Sequence, residues 1–372
     1  MKLPLIPMLA LAVLSTGCVG PPTKESDTLS GITQLTTGFS RAGPAAFSPD
    51  MRWLAFQAVP PNESQFQIYV AQVRYKDDEI VGLGTPMRVT PPGTRNASVA
   101  FADDGRTLLF ASSSGSESSG GDLAPIVDGK TLGWSFPRGV EIFRVESWQS
   151  LIAMPEPGKP FDFTQGTKLT KFGAYSAEMS VDPKLGRIAF ASSRGQGDDV
   201  DLYLMRPDGS RAVRITHAHG YDGGPAISPD GKRVLFRADR DSSGRLQLFK
   251  LDLVYDKSNP PEVVGTTRER QLTKNTHVNI APVWHPAGRW VMYANNEQGN
   301  DNFELRLMRR SGAQDCRITF TKGFDGFPTF SPDGSRLLWS SKRTADGTTQ
   351  LFVARFKVPD YVKVAPSDEK DD

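Results

Sequence analysis

Hydrophobic and aromatic positions recur along this chain on a fixed ruler. From Thr319, an apolar residue, Phe330, follows after 11 residues, Trp339 after a further 9 and Phe352 after a further 13. The same spacing joins Thr36, Phe47, Phe56 and Tyr69; Thr170, Val181, Phe190 and Tyr203; and Thr216, Ile227, Phe236 and Phe249. Thr273, Trp284 and Tyr293 keep it but end on Arg306. Thr90, Phe101 and Phe110 keep it until Phe143, which comes after 33 residues rather than 13, so this copy carries a 20-residue insertion. Six copies with one inner spacing define a repeat protein before any local assignment is made.

Each copy reads as four short strands. An apolar segment such as GPAAFS or GFPTFS comes first. A Ser-Pro-Asp-Gly turn or a variant follows, as at Ser228–Gly231 and Ser331–Gly334. Proline presets φ, aspartate bonds its own backbone and glycine accepts φ > 0, which together make a tight hairpin. Met51 and Leu185 stand where the glycine is expected, so those two turns are expected to be built differently. The second strand (WLAFQA, RIAFAS, RVLFRA, WVMYAN, RLLWSS) is rich in β-branched and aromatic residues. A third, alternating strand follows, then a short segment ending in threonine, as in VRIT or RQLT. Four strands in about 45–55 residues predict propeller blades, and hence an all-β, six-bladed β-propeller. The sixth copy has only three strands of its own. The N-terminal segment Ile32–Thr36 is therefore expected to supply the fourth by pairing with Gln350–Phe356 and closing the ring.

These repeats, with their SPDG turns and QLT-like strand ends, resemble the WD-repeat-like repeats of TolB-type six-bladed propellers. GYDGGPAISPDGKRVLFRA, NIAPVWHPAGRWVMYANN and GFDGFPTFSPDGSRLLWSSKR carry the likeness most strongly. It covers roughly Ile32 to Phe356 and implies the fold and a place in a bacterial envelope. TolB has an additional N-terminal α/β domain for which this sequence leaves no room, so the role of TolB in the Tol–Pal system does not transfer with the fold.

The ends change the picture. Residues 1–17 combine Lys2, an apolar run from Leu3 to Leu14 and small residues, the pattern of a signal peptide. Leu14-Ser15-Thr16-Gly17-Cys18 resembles a bacterial lipobox, which implies a lipid-modified Cys18. Val19 rather than aspartate after it implies the outer membrane, facing the periplasm. Residues 18–31 read as a flexible tether, 32–356 as the propeller and 357–372 as an acidic, mobile tail. A net charge of +2 over 372 residues argues against a nucleic-acid partner. Cys316 is the one cysteine besides Cys18, and its neighbours place it as a small buried hydrophobe. The blade-two insertion, within 112–140, holds Trp134 and Phe136, which either form a partner-binding tip or fold back on their own blade.

Candidate chemistry lies in the loops that follow each threonine, because these ring the mouth of the central channel. The sixth residue after each gives Ala42, Asn96, Ser176, Asp222, Asn279 and Asp325; the fifth gives Arg41, Arg95, Tyr175, Tyr221, Val278 and Phe324. Glu178 and His277 lie close in register. The partner- or ligand-binding candidates are therefore Arg41, Arg95, Asn96, Ser176, Glu178, Tyr221, Asp222, His277, Asn279, Phe324 and Asp325. The competing reading is turn chemistry, since Asp and Asn satisfy loop backbones. His217, His219 and His277 are weak candidates for a divalent metal, without a diagnostic spacing. No nucleophile elbow or HExxH is present. The expected function is a non-catalytic, monomeric envelope lipoprotein, with no cofactor, that binds a protein or peptide. The alternative is a metal-assisted carbohydrate-active enzyme or small-ligand binder using the channel mouth.

Overall fold

The computed structural model describes residues 20–102, 105–114, 126–127, 130–131, 136–153, 166–194, 199–240 and 244–363. The signal segment, Cys18, Trp134 and the last nine residues lie outside them. Six antiparallel sheets surround one axis. Blade one runs from Arg41–Phe47 through Trp53–Val59 and Gln67–Lys76 to Glu79–Leu83 and Met87–Arg88. Blades two to five begin on Asn96–Phe101, Ser176–Val181, Asp222–Ile227 and Asn279–Trp284. Blade six is Asp325–Phe330, Arg336–Ser341 and Gln350–Phe356, completed by Leu29–Gln34. Leu29 pairs with Phe356 and Gln34 with Phe352, so the N-terminal strand closes the ring as expected. Each innermost strand packs on the next around the full circle.

The ruler has a physical cause at each mark. The two aromatic positions are cross-strand partners: Phe56 on Tyr69, Phe110 on Phe143, Phe190 on Tyr203 and Phe236 on Phe249 stack at 5.6–5.7 Å, and Trp339 on Phe352 at 6.1 Å. Each such pair contributes on the order of 0.5–1.5 kcal/mol beyond its burial. In blade five Arg306 takes the second place opposite Tyr293, and both bond Asp315. The threonine is a side-chain acceptor. Its Oγ1 takes the backbone N–H of the third strand in all six blades: Leu351 to Thr36, Ile68 to Thr90, Ile142 to Thr170, Leu202 to Thr216, Leu248 to Thr273 and Leu305 to Thr319, at 2.8–3.0 Å. The two-residue outer strands of most blades stop one step short of that N–H, and the hydroxyl completes the ladder.

Three expectations need correction. Met51 does not change its turn: it adopts φ 61 in the same Ser48–Asp50 arrangement that glycine occupies at Gly231 and Gly334. At Leu185 the turn does change, and the left-handed residue moves on to Gly186. The tether is not free, since Glu25–Asp27 forms a 3-10 turn docked on blades five and six. The tail is docked as far as residue 363: Asp360–Lys363 is helical, Val362 is buried, and its carbonyl accepts from Trp290 Nε1 and Arg309 Nη1.

Candidate functional site

Every innermost strand carries a β-bulge near its start. The residue eight after the threonine sits there: Pro44, Ser98, Glu178, Gly224, Ala281 and Phe327. Five of the six have φ between 51 and 59°. Every one is half-exposed on the strand that faces the axis. Glycine takes this backbone freely, whereas a glutamate or phenylalanine pays strain of about 1–3 kcal/mol, which persists where the surroundings enforce it. The two large residues of this ring, Glu178 of blade three and Phe327 of blade six, are three blades apart. They therefore face each other across the channel.

Around Glu178 a polar wall is built. Its carboxylate accepts from Tyr175 Oη at 3.1 Å, Tyr221 Oη at 2.9 Å, Gly224 N at 2.7 Å and Arg237 Nη2 at 2.8 Å. Arg237 also donates to Tyr221 Oη at 2.7 Å. Burial, reinforced by the neighbouring carboxylate, pushes the Tyr175 phenol well above its usual range; burial does the same to Tyr221 against the opposing pull of Arg237. Both tyrosines therefore stay protonated donors. Phe136, at the end of the blade-two insertion, stacks on Tyr221 at 5.0 Å and leans on Tyr175 at 4.9 Å. It thus covers blades three and four rather than projecting or folding back on its own blade. Around Phe327 the wall is aromatic: Phe324 lies 5.6 Å from both Phe327 and Phe303.

A short motif places these rings. In Tyr221-Asp222-Gly223 and Phe324-Asp325-Gly326 the aromatic ring lies over the glycine two residues on. A Cβ on Gly223 would meet Tyr221 Oη at 1.9 Å, and one on Gly326 would meet Phe324 Cζ at 2.4 Å. At these two positions any Cβ would collide with the ring as it lies, whereas Tyr175 reaches Glu178 with Ala177 two residues on. The aromatic-x-Gly spacing was readable in the sequence; the bulge ring, with no glycine signal at Glu178 or Phe327, was not.

The other candidates point elsewhere. Asn96, Ser176, Asp222, Asn279 and Asp325 are buried in the seams between blades. The backbone N–H of Ser176, Asp222, Asn279 and Asp325 bonds the preceding blade, at Val140, Val200, Leu246 and Phe303. Asn279 Nδ2 reaches Leu246 O, Gln247 Oε1, Asn275 Oδ1 and His277 O, and Asn96 Nδ2 reaches Phe66 O and Gln67 Oε1. Asp222 pairs with Arg240 at 2.8 Å and Asp325 with Arg343 at 3.2 Å. Burial pushes Asp222 up to about 7, with Asp201 adding to the shift and Arg240 opposing it. Burial also pushes Glu304 up to about 7, helped by Asp325 and opposed by Thr319 and Arg317. Exposed Arg41 stacks over Phe66 at 4.6 Å, and half-buried Arg95 donates its backbone N–H to Ser113 Oγ. His219 pairs with Asp199 at 2.9 Å, His217 is exposed and His277 half-buried. Among the described residues no three His, Cys, Asp or Glu side chains converge on a metal position. Cys316 is buried, which pushes its thiol up to about 12. Among the described residues no helix is long and apolar enough to cross a membrane.

No family model matches the chain. A protein named TolB homolog from Chlorobium luteolum is 33% identical over 166 residues, 45% of this chain and 33% of that protein. The first matched relatives are thus covered over a third of their own length or less. Among solved structures, one described as TolB from Agrobacterium tumefaciens is similar at TM-score 0.54 and 17% identity, over 89% of this chain and 98% of that one. A gluconolactonase from Xanthomonas campestris is similar at TM-score 0.53 and 12% identity, over 91% and 94%. Enzymes and binding proteins share this architecture, so the fold leaves the chemistry to the site. The chain has the fold of a TolB-like six-bladed β-propeller of four-stranded antiparallel blades.

Proposed function

We propose that this protein is a non-catalytic cell-envelope lipoprotein, anchored at Cys18, whose channel mouth binds a protein or peptide partner. The observation that carries this reading is the facing pair of walls: Glu178, Arg237, Tyr175 and Tyr221 on one side and Phe303, Phe324 and Phe327 on the other. An apolar or aromatic side chain packs on the phenylalanines, while donors and acceptors of a peptide meet a carboxylate, a guanidinium and two phenols. Asn96, Asp222, Asn279 and Asp325 shape the mouth from within the seams, and Arg41, Arg95 and His277 rim it.

A photo-cross-linking side chain at Phe327 in the full-length protein tests this. The expected product is a discrete macromolecular adduct in envelope fractions, weakened at least tenfold by Glu178→Gln. The competing reading, a small-ligand binder or metal-assisted enzyme, draws on the strained Glu178 carboxylate. It predicts instead that Ca²⁺, Mn²⁺, Zn²⁺ or a saccharide raises the thermal midpoint of the protein alone, since a ligand at about 100 times its Kd adds about 2.7 kcal/mol. Such a rise, with no adduct, overturns the partner-binding reading.

A further inference from the structure

The segment after Cys18 is tied to the propeller rim. The Glu25 carboxylate accepts from Phe320 N at 2.9 Å, Thr321 Oγ1 at 3.1 Å and two nitrogens of Arg343 at 3.0 and 3.1 Å. Asp27 closes the turn by accepting from the backbone of Thr23 and Lys24. Six residues, 19–24, separate Cys18 from this clamp. Fully extended they span at most about 25 Å to the clamp. An anchor at Cys18 therefore cannot let the domain turn freely, and the rim at blades five and six stays near the bilayer.

The surface around the clamp fits that placement. Lys24 precedes Glu25, Lys322 follows Thr321, and Lys342 precedes Arg343, with its Cβ 3.5 Å from the position a Cβ on Gly323 would take. Lys357 donates its backbone N–H to Thr28 O. All four lysines are exposed; the exposed carboxylates beside them are Asp27, Asp301 and Asp360, the last shared between Lys357 and Lys363. We infer that the blade five–six rim, through Lys24, Lys322, Lys342 and Lys357, rests against an anionic lipid surface. Blade two lies opposite blade five in the ring, so its strands are held away from the membrane. The inference rests on lipid attachment at Cys18. A lysine near such a surface gains roughly fivefold in binding, and the effect decays over a Debye length of about 8 Å.

The test uses the full-length protein in vesicles containing phosphatidylglycerol, with a fluorophore on Asn300→Cys in blade five or on Ser150→Cys in blade two, and a headgroup-borne quencher. Quenching at position 300 should exceed that at position 150 at least threefold. The K24E/K322E/K342E variant, or vesicles of phosphatidylcholine alone, should lower that ratio at least twofold, leaving the part that the short tether sets. The mass of the N-terminal peptide is read first. Absence of acyl groups on Cys18 overturns the anchoring and this inference with it. An acylated protein whose two labels are quenched equally, or whose difference is unchanged in the triple variant, overturns the inference and leaves the anchoring intact.

Discussion

At the seam between blades four and five, Gln247 at the start of a third strand meets Asn279 at the start of the next inner strand. At the seam between blades three and four the same two places hold Asp201 and Asp222. Blades one and two repeat the amide pair as Gln67 and Asn96; blades five and six repeat the acid pair as Glu304 and Asp325. The backbone is the same and the solutions differ. An amide both donates and accepts, so Asn279 bonds Gln247 directly and spends its remaining donor capacity on loop carbonyls. Two carboxylates only accept. The acid seams import donors: Arg214 on Asp201 and Arg240 on Asp222, Arg317 on Glu304 and Arg343 on Asp325. Burial still leaves Asp222 and Glu304 near pH 7. One pair of repeat positions is thus a fixed hydrogen-bond node in two seams and, through one or the other member, a titrating one in two others.

Swapping the chemistries should not be symmetrical. Asn279→Asp sets a carboxylate against Leu246 O, Gln247 Oε1 and His277 O in place of a donor. Its expected cost is about 3 kcal/mol or more at pH 8, read by urea unfolding. The loss should shrink toward pH 4, where protonation returns a donor. A cost below about 1 kcal/mol at pH 8 would mean that the amide seam is not a node. Arg343→Met attacks an acid seam instead. It leaves Asp325 with Trp339 Nε1 and Glu25 with Phe320 N and Thr321 Oγ1, at an expected cost of about 2–3 kcal/mol at pH 8.

Asp222→Asn is the reverse swap. A raised carboxyl pKa means that the folded state holds a proton the unfolded chain releases. Its contribution is therefore fully present below pH 3.8 and lost as pH rises through about 7. The variant lacks that loss. Relative to the parent it should gain about 4 kcal/mol between pH 4 and pH 8, with Arg240 still paired to Glu269. A parallel pair of pH–stability curves would show that Asp222 does not titrate in the fold.

How far these seams were legible follows from their geometry. The blade count, the closing strand and the role of each ruler position depend on spacing within one chain segment, and the sequence carries that spacing. The column containing Asn96, Asp222, Asn279 and Asp325 was visible too, but its direction was not. Whether Asp222 faces the channel or Asp201 depends on the register between neighbouring blades, which no local pattern encodes. Phe327 escaped notice, and Glu178 was found only by its nearness in register, because a bulge repeated in every blade, not a glycine, sets their backbone. Met51 likewise holds φ 61 in a turn fixed by Ser48 and Asp50, which overrides its own preference. The docked ends were missed for a related reason. Glu25 and Val362 find partners more than 50 residues away in sequence, and polar composition alone reads as disorder.

Glu25 gives the smallest predicted effect and the sharpest sign. It adds a second carboxylate to Arg343, as Glu269 does for Arg240 in blade four. Burial pushes Glu25 up, but bonds from Arg343 and Phe320 outweigh it and hold its carboxyl below the ordinary value of 4.5. A lowered carboxylate pKa contributes stability that is present above pH 4.5 and lost as pH falls through the folded value. Glu25→Gln should therefore cost about 0.5–1 kcal/mol at pH 6–8, a partly exposed pair's worth, and nothing at pH 3. Asp222→Asn departs from the parent in the opposite direction and over a higher pH range. If both variants moved the curve the same way, the acid seams would be acting through net charge rather than through their own bonds.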